Sequence, residues 1–268
     1  MKKVKFYFGL AFTVLFMINI QLNAQFFKSK IDTLKMLRTL KISQTEKYSI
    51  RGTSLNFLNI QDTKMTPMIY SGPGIGFNLS SYKTIKNYTH FTGFNFHYST
   101  LFGPDKISLS YMHGLKFRFN TGKLYQLNSN NWKIGASSNI ETNSRIYLKN
   151  GNDPVGTEIL STINFAGSYS FDYKQNKIEI RAELPLFAYV MRFPDYNIFG
   201  FNHLFMPLGI YNSIRTKFII VKPLKYSSEN HYSISYEWDL YTFKEYDKYF
   251  KIVSGTHFIT FSYWLKKM

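Results

Sequence analysis

From about residue 47 to the C-terminus, apolar and polar residues alternate along the chain with a period of two. The pattern is clearest in residues 177–184. One face of this segment carries the apolar side chains Ile178, Ile180, Ala182 and Leu184, and the other carries Lys177, Glu179, Arg181 and Glu183. Because successive side chains of a strand point to opposite faces, the pattern predicts strands with one apolar face and one polar face.

Turn-like segments divide the alternating region into strands. In chain order the predicted set is 47–60, 67–80, 88–101, 106–120, 131–148, 157–173, 177–193, 203–224, 231–243 and 251–266. These strands are longer than the ~5–6 residues common in globular sheets, and a barrel strand needs only ~9–11 residues to cross a membrane. The sequence therefore predicts an all-β fold, an antiparallel meander forming a transmembrane β-barrel of about ten strands, with eight or twelve left open.

The connections between these strands predict an orientation. Membrane barrels have short periplasmic turns and longer outer loops. The longer connections should therefore face outward, at 149–156, 194–202 and 244–250. The short ones should face the periplasm, at 174–176 and 225–230. The predicted strand 203–224 contains Pro207 and Gly209, residues that weaken a strand, so it could hide a break.

Two architectures are compatible with strands that have one apolar and one polar face, and they differ in the environment of each face. In a membrane barrel the apolar face meets lipid and the polar face lines the interior. In a soluble periplasmic β-sandwich the apolar face forms the core. Aromatic residues make up 19% of the chain, and they recur near the strand ends, as the aromatic girdles of barrels require. We therefore expect a barrel, with a soluble β-sandwich as the main alternative.

Residues 1–24 are typical of a secretory signal peptide. Basic residues precede the apolar run Phe6–Ile20, and a short polar stretch with a small last residue follows it. This order predicts export and cleavage after residue 24. Residues 25–46 are expected to form a periplasmic arm with a short amphipathic helix over 28–43, and residues 47–268 are expected to form the barrel in the outer membrane.

Composition narrows the classes of function. The chain has no cysteine, which excludes disulfides, thiolate metal sites and a cysteine nucleophile. Its formal net charge is +17, but it carries no nucleic-acid motif, so phosphate-bearing lipids are the expected acidic partner. The expected partners are outer-membrane lipids, including lipopolysaccharide, and an envelope protein, with no nucleic acid. The histidines lack the spacing of metal ligands, and no cofactor is expected.

A signal peptide followed by aromatic-rich alternating strands and a terminal amphipathic strand resembles the outer-membrane β-barrel proteins of Gram-negative bacteria. The run Gly74-Ile75-Gly76-Phe77-Asn78-Leu79-Ser80 resembles an early strand in small barrels of the PorT-like kind found in Bacteroidetes. The resemblance implies the fold and transfers no functional residue. The chain departs from the common barrel ending, because it stops at Lys266-Lys267-Met268 rather than at an aromatic residue.

Charged residues recur on the polar faces that should line the barrel interior: Lys116, Arg118, Glu141, Arg145, Lys177, Glu179, Arg181, Glu183, Glu237 and Asp239. Opposite charges in a confined space pair through hydrogen bonds, and a barrel of this size has little room beyond its own side chains. We therefore expect a filled, non-conducting interior, with Glu141 and Arg145 as one opposite-sign pair. A charged constriction that selects solutes is the alternative, and it would make the protein a narrow channel or transporter.

An enzymatic alternative rests on His97 and Ser99. Their spacing puts both side chains on one strand face, where the histidine could activate the serine. The pair resembles the His-x-Ser pair of outer-membrane phospholipases and lipid A deacylases. The tripeptide recurs at His231-Tyr232-Ser233, and no third member of a triad is found. The expected role is therefore non-enzymatic, in structure, binding or assembly, with lipid hydrolysis as the alternative.

Overall fold

A computed structural model describes residues 45–63, 66–85, 87–104, 111–127, 131–148, 155–193, 202–206, 211–224, 227–244 and 251–267. The predicted signal peptide, the helix over 28–43 and almost all of the predicted arm lie outside the described residues. The predicted outer loops 149–156, 194–202 and 244–250 also lie mostly outside them. No helix among the described residues is long and apolar enough to cross a membrane.

The alternating region folds into eleven strands. They are β1 (Glu46–Asp62), β2 (Thr66–Ile85), β3 (Tyr88–Phe102), β4 (Tyr111–Gln126), β5 (Trp132–Leu148), β6 (Val155–Tyr173), β7 (Asn176–Phe193), β8 (Asn202–Met206), β9 (Tyr211–Leu224), β10 (Ser227–Lys244) and β11 (Lys251–Lys266). The bounds differ from the predicted ones mainly at strand ends, where the chain continues in extended form beyond the alternating core.

The strands close into a barrel. Each strand from β1 to β7 pairs antiparallel with the next, β7 pairs with β9, and β9 to β11 continue the meander. Strand β11 returns to pair with β1, from Tyr48 opposite Lys266 to Asp62 opposite Ile252. Because β8 and β9 together occupy one place in the wall, the barrel has ten strand positions. The prediction of a ten-stranded antiparallel meander is confirmed.

The predicted strand 203–224 is divided into β8 and β9. Strand β8 pairs with the later part of β7, with Met206 opposite Ala188, and β9 pairs with the earlier part, with Arg215 opposite Glu183. In the sequence Pro207 comes directly after β8, and proline has no backbone N–H to donate to a neighbouring strand. The sequence signal for a break was therefore correct.

Burial shows that the barrel is built for a lipid environment. On β7, Ile180 and Leu184 are each 46% exposed on the outer surface, whereas Glu179, Arg181 and Glu183 are buried inside. Water-soluble proteins have the opposite arrangement, because exposing large apolar side chains and burying charges both cost free energy. The predicted facing is confirmed for these residues, and the soluble β-sandwich alternative is wrong.

The two ends of the barrel differ in their connections. Four connections at one end are short: 86–87, 127–131, 174–175 and 225–226. The tightest is the two-residue turn in which Tyr173 pairs with Asn176 and Lys174 has a φ of 55°. Connections at the other end are mostly longer, as in the outer loops of membrane barrels. We therefore call the first end the periplasmic end and the second the outer end.

Apolar layers occupy both ends of the interior. The layer near the outer end contains Ile60, Tyr70, Leu101, Met112, Leu160, Ala188, Val190, Tyr211, Tyr241, Phe243 and Ile252. Two smaller layers lie near the periplasmic end: Tyr48, Ile50, Ile219, Val221 and Trp264 in one, and Phe91, Leu124 and Ala166 in the other, with Tyr82 packed against both. Charged and polar side chains fill the space between these layers.

Candidate functional site

A cluster of eight charged side chains crosses the middle of the barrel. It has four cations, Lys116, Arg118, Arg215 and Lys217, and four carboxylates, Glu141, Glu183, Glu237 and Asp239. We call it the central cluster. Strands β4, β5, β7, β9 and β10 supply its members, each from an inward position of the alternating pattern. Its formal charges balance, so no member is a buried charge without a counter-ion.

Arg118 donates hydrogen bonds to three of the four carboxylates of the central cluster. Its Nε donates to Glu141 Oε2 at 2.8 Å, its Nη1 donates to Glu237 Oε1 at 2.5 Å, and its Nη2 donates to Asp239 Oδ2. Glu141 is the cross-strand neighbour of Arg118 on β5. The other two carboxylates belong to β10, which lies five strand positions from β4 in either direction around the barrel. The guanidinium therefore bridges opposite walls.

Lys116 strengthens the same bridge. Its Nζ lies 2.9 Å from Asp239 Oδ2 and 3.0 Å from Glu141 Oε1. The three side chains are each nearly inaccessible to solvent. Charge-assisted hydrogen bonds at these distances are about twice as strong as neutral ones, so this side of the central cluster is firmly held.

Arg215 and Lys217, on the other side of the central cluster, lie at longer distances from its carboxylates. The guanidinium of Arg215 lies 3.4 to 3.6 Å from the carboxylates of Glu183, Glu141, Asp239 and Glu237. Lys217 Nζ lies 3.5 Å from Glu237 Oε2. Both residues were missed in the sequence because they belong to the interrupted strand, where alternation is weak. Their spacing of two residues on β9 is the signal that could have found them.

A second group of charges, the outer cluster, lies nearer the outer end. Arg145 Nη1 donates to Glu158 Oε1 at 2.9 Å, and its Nη2 donates to Asp62 Oδ2 at 2.9 Å. Arg192 Nη2 donates to the same aspartate at 2.8 Å, and Tyr241 Oη donates to Glu158 Oε1 at 2.6 Å. Two cations and two carboxylates therefore balance here as well.

Glu141 and Arg145 both face the interior, as expected for opposite charges on one inner strand face, but they do not contact each other. Four residues along a strand span about 13 Å, which is too far for a direct ion pair. The structure assigns Glu141 to the central cluster and Arg145 to the outer cluster. Asn143 connects the two, because its Nδ2 lies 3.0 Å from Glu141 Oε1 and 3.5 Å from Glu158 Oε1.

The remaining expected lumen charges lie near the periplasmic end. Arg181 Nη2 donates to Glu179 Oε1 at 2.7 Å, and Tyr82 Oη donates to Glu179 Oε2 at 3.1 Å. The guanidinium of Arg181 also stacks over Phe91, 4.3 Å from the ring centre. Lys177 was expected inside, but it is exposed. It lies at the start of β7, beside the turn at 174–175, where the strand leaves the barrel interior.

His97 and Ser99 both face the interior, but each has a partner on another strand. His97 Nδ1 lies 3.2 Å from Ser54 Oγ, and Ser99 Oγ accepts a 2.9 Å hydrogen bond from Asn56 Nδ2. Strand β2 lies between these partners and presents glycines at 72, 74 and 76, so the side chains of β1 and β3 meet above it. Close packing between strands therefore explains this glycine repeat.

Little space remains in the described interior. A cavity of about 80 Å³ lies beside the central cluster, lined in part by Asn78, Asn95, Asn120, Tyr82 and Trp264. A second cavity of about 10 Å³ lies beside Arg215. A single water needs roughly 10–15 Å³, so the first holds a few waters and the second at most one. No group of three or more histidine or carboxylate side chains in the described strands is arranged to hold a metal ion.

Solved structures share this architecture. The outer membrane protease OmpT from Escherichia coli superposes with a TM-score of 0.53 at 7% sequence identity, covering 86% of this chain and 99% of that one. The chain has the fold of an outer-membrane β-barrel protein. This fold and the exposed apolar band support the outer-membrane location expected from the sequence.

Further structural matches are of the same general kind, at lower scores. The translocator domain of the autotransporter NalP from Neisseria meningitidis is 10% identical, with 89% of this chain and 95% of that one covered and a TM-score of 0.38. The attachment invasion locus protein Ail of Yersinia pestis is 11% identical, with 82% and 99% covered and a TM-score of 0.34. No protein-family model and no curated protein matches the sequence.

Proposed function

We propose that this protein is an integral outer-membrane barrel with a structural, binding or assembly role, and that its interior is a filled core that does not conduct solutes. The proposal is based on the hydrogen bonds that bridge Arg118 to Glu237 and Asp239. It joins strands on opposite sides of the barrel, so the central cluster obstructs the path between the two ends. The outer loops and the outer surface are then the parts available to a partner.

The proposed role is non-enzymatic. His97 and Ser99, the candidate pair for lipid hydrolysis, face inward and hydrogen-bond with Ser54 and Asn56 rather than facing lipid. A hydrolase of membrane lipids needs its nucleophile within reach of an ester in the bilayer. We also propose that the protein is related to the PorT-like barrels of Bacteroidetes, on the basis of the run from Gly74 to Ser80.

A narrow channel is the second candidate. The looser side of the central cluster favours it, because the contacts of Arg215 are 3.4 Å or longer and the larger cavity lies beside them. Movement of this one side chain would widen the path without breaking the tighter contacts of Arg118. The cluster would then act as a charged constriction.

Solute uptake by vesicles separates the two candidates. The full chain would be refolded into phospholipid vesicles, and insertion would be checked by heat-modifiable migration on gels. We expect no swelling with small sugars, amino acids or salts above that of protein-free vesicles. A matched Arg215→Ser variant tests the looser side. Swelling by the unmodified protein would contradict the filled-core proposal and favour the channel.

A further inference from the structure

Four basic positions lie side by side on the outer surface of β1 to β4. Lys47 is directly opposite Lys83, Lys83 is opposite His90, and His90 is opposite Lys123. We call these residues the basic row. They alternate with the inward-facing Tyr48, Phe91 and Leu124, so they point away from the barrel interior. The turn at 86–87 lies next to them, which puts the row at the periplasmic end.

Lys47 and Lys83 form an electrostatically unfavourable pair. Like charges directly opposite each other on neighbouring strands destabilise a sheet, and the row places two lysines in that relation. Lys83 and Lys123 flank His90 on the two neighbouring strands. Glu46 precedes Lys47, but strand alternation turns it to the other face, where it pairs in register with Thr84. An external anion would relieve this repulsion.

Aromatic side chains indicate the membrane depth of Lys123. Lys123 Nζ lies 4.2 Å from the centre of the Tyr88 ring and 5.0 Å from that of Tyr125. On β5, Trp132 lies four residues from Ala136, the register partner of Lys123, towards the periplasmic end, and it is 52% exposed on the same outer surface. Tyrosine and tryptophan on the surface of a membrane protein mark the headgroup level. The ammonium group of Lys123 therefore lies where lipid phosphates are found.

We propose that the basic row binds the phosphate of an anionic glycerophospholipid in the periplasmic leaflet of the outer membrane. The lysines supply charge, and Tyr88 and Tyr125 hold Lys123 at headgroup depth. Lipopolysaccharide is not the ligand, because it occupies the opposite leaflet. The inference rests on the proposed membrane location and adds to it a ligand class and a site.

Lipid titration followed by native mass spectrometry tests the site. The full chain would be released from detergent micelles after titration with phosphatidylglycerol or with zwitterionic phosphatidylcholine. The test variant is Lys47→Gln/Lys83→Gln/Lys123→Gln. The matched control is Lys174→Gln/Lys177→Gln/Lys222→Gln, which removes the same charge from exposed lysines at the same end. Each lysine near an anionic surface contributes about fivefold in binding.

We expect the unmodified protein and the control to prefer phosphatidylglycerol and to bind it within about twofold of each other. The test variant should bind it at least about tenfold more weakly, while its binding of phosphatidylcholine is unchanged. Equal loss in both variants would overturn the site in favour of general surface charge. Displacement of the lipid by inorganic phosphate at constant ionic strength would show that a free anion, not a lipid, is the ligand.

Insertion is measured separately, so that the two proposals can fail independently. Both variants and the unmodified protein would be floated with phosphatidylcholine vesicles on a density gradient. If the unmodified protein does not insert, the membrane location fails. If it inserts but shows no preference for phosphatidylglycerol, the lipid site alone fails.

Discussion

Arg118 on β4 donates a 2.5 Å hydrogen bond to Glu237 on β10, although the two strands face each other across the full width of the barrel. An arginine side chain can make this contact only where the lumen is narrow enough for two side chains to span it. The contact therefore ties opposite walls together and obstructs the interior at the same point.

Replacing Arg118 by glutamine should destabilise the barrel by about 3–5 kcal/mol, because Glu141, Glu237 and Asp239 would lose their common buried counter-ion. Urea unfolding in lipid vesicles measures the change. Lys177→Gln is the control, since Lys177 is exposed, and its effect should stay within about 0.5 kcal/mol. A loss for Arg118→Gln no larger than that of the control would mean that the bridge does not stabilise the fold.

A second prediction concerns arginine substitutions on the lipid-facing surface. Leu184 lies near the middle of the outward apolar positions of β7, so Leu184→Arg should cost about 2–4 kcal/mol of unfolding free energy in a bilayer. Tyr173 lies at the end of β6, near the headgroups. Tyr173→Arg should therefore lower the unfolding free energy by only about 0–1 kcal/mol. Equal costs at the two positions would contradict the assigned membrane depth.

The glycines of β2 make a third prediction. A methyl group at Gly76 would lie 2.3 Å from His97 Nδ1 and 2.4 Å from the backbone oxygen of Phe96. Gly76→Ala should therefore cost about 1–3 kcal/mol through overpacking. Gly114 also faces the interior, but its nearest neighbour would be Leu58 Cδ2 at 3.5 Å, so Gly114→Ala should be tolerated. Thermal unfolding of the two variants compares them, and the reverse order would disprove this packing.

The outer cluster makes a fourth prediction. Tyr241→Phe removes the hydroxyl that donates to Glu158 at 2.6 Å, and the buried carboxylate loses one of its hydrogen bonds. We expect a loss of about 1–3 kcal/mol in chemical unfolding. Tyr232→Phe is the control, because Tyr232 lies on the exposed outer surface. Identical stability of the two variants would mean that the hydroxyl is not part of the cluster.

Alternation predicted the strands and the facing because both depend on local sequence. Arg118 and Glu141 could be placed inside from their own strands, and their pairing follows from the register of β4 with β5. The contacts of Arg118 with β10 could not be predicted in the same way. They depend on the closure and width of the barrel, which sets the distance between residues more than 100 positions apart in the chain.

The missed charges share a physical cause. Asp62 lies beyond the predicted end of its strand, and Glu158 and Arg192 each lie one residue from an end of a predicted strand, where alternation is hard to extend. Arg215 follows the break between β8 and β9. Polar residues in such positions are common in loops as well as in strands, so residue type alone does not assign them to the interior.

Planar-bilayer recording of the purified full-length protein tests the central claim most directly. Insertion would be verified on the same sample by heat-modifiable migration. We predict no stable conductance steps from the unmodified protein or from Lys177→Gln, and steps from an Arg118→Ser/Arg215→Ser variant in which the central cluster loses both bridging guanidinium groups. Reproducible conductance from the unmodified, correctly inserted protein would contradict the filled interior.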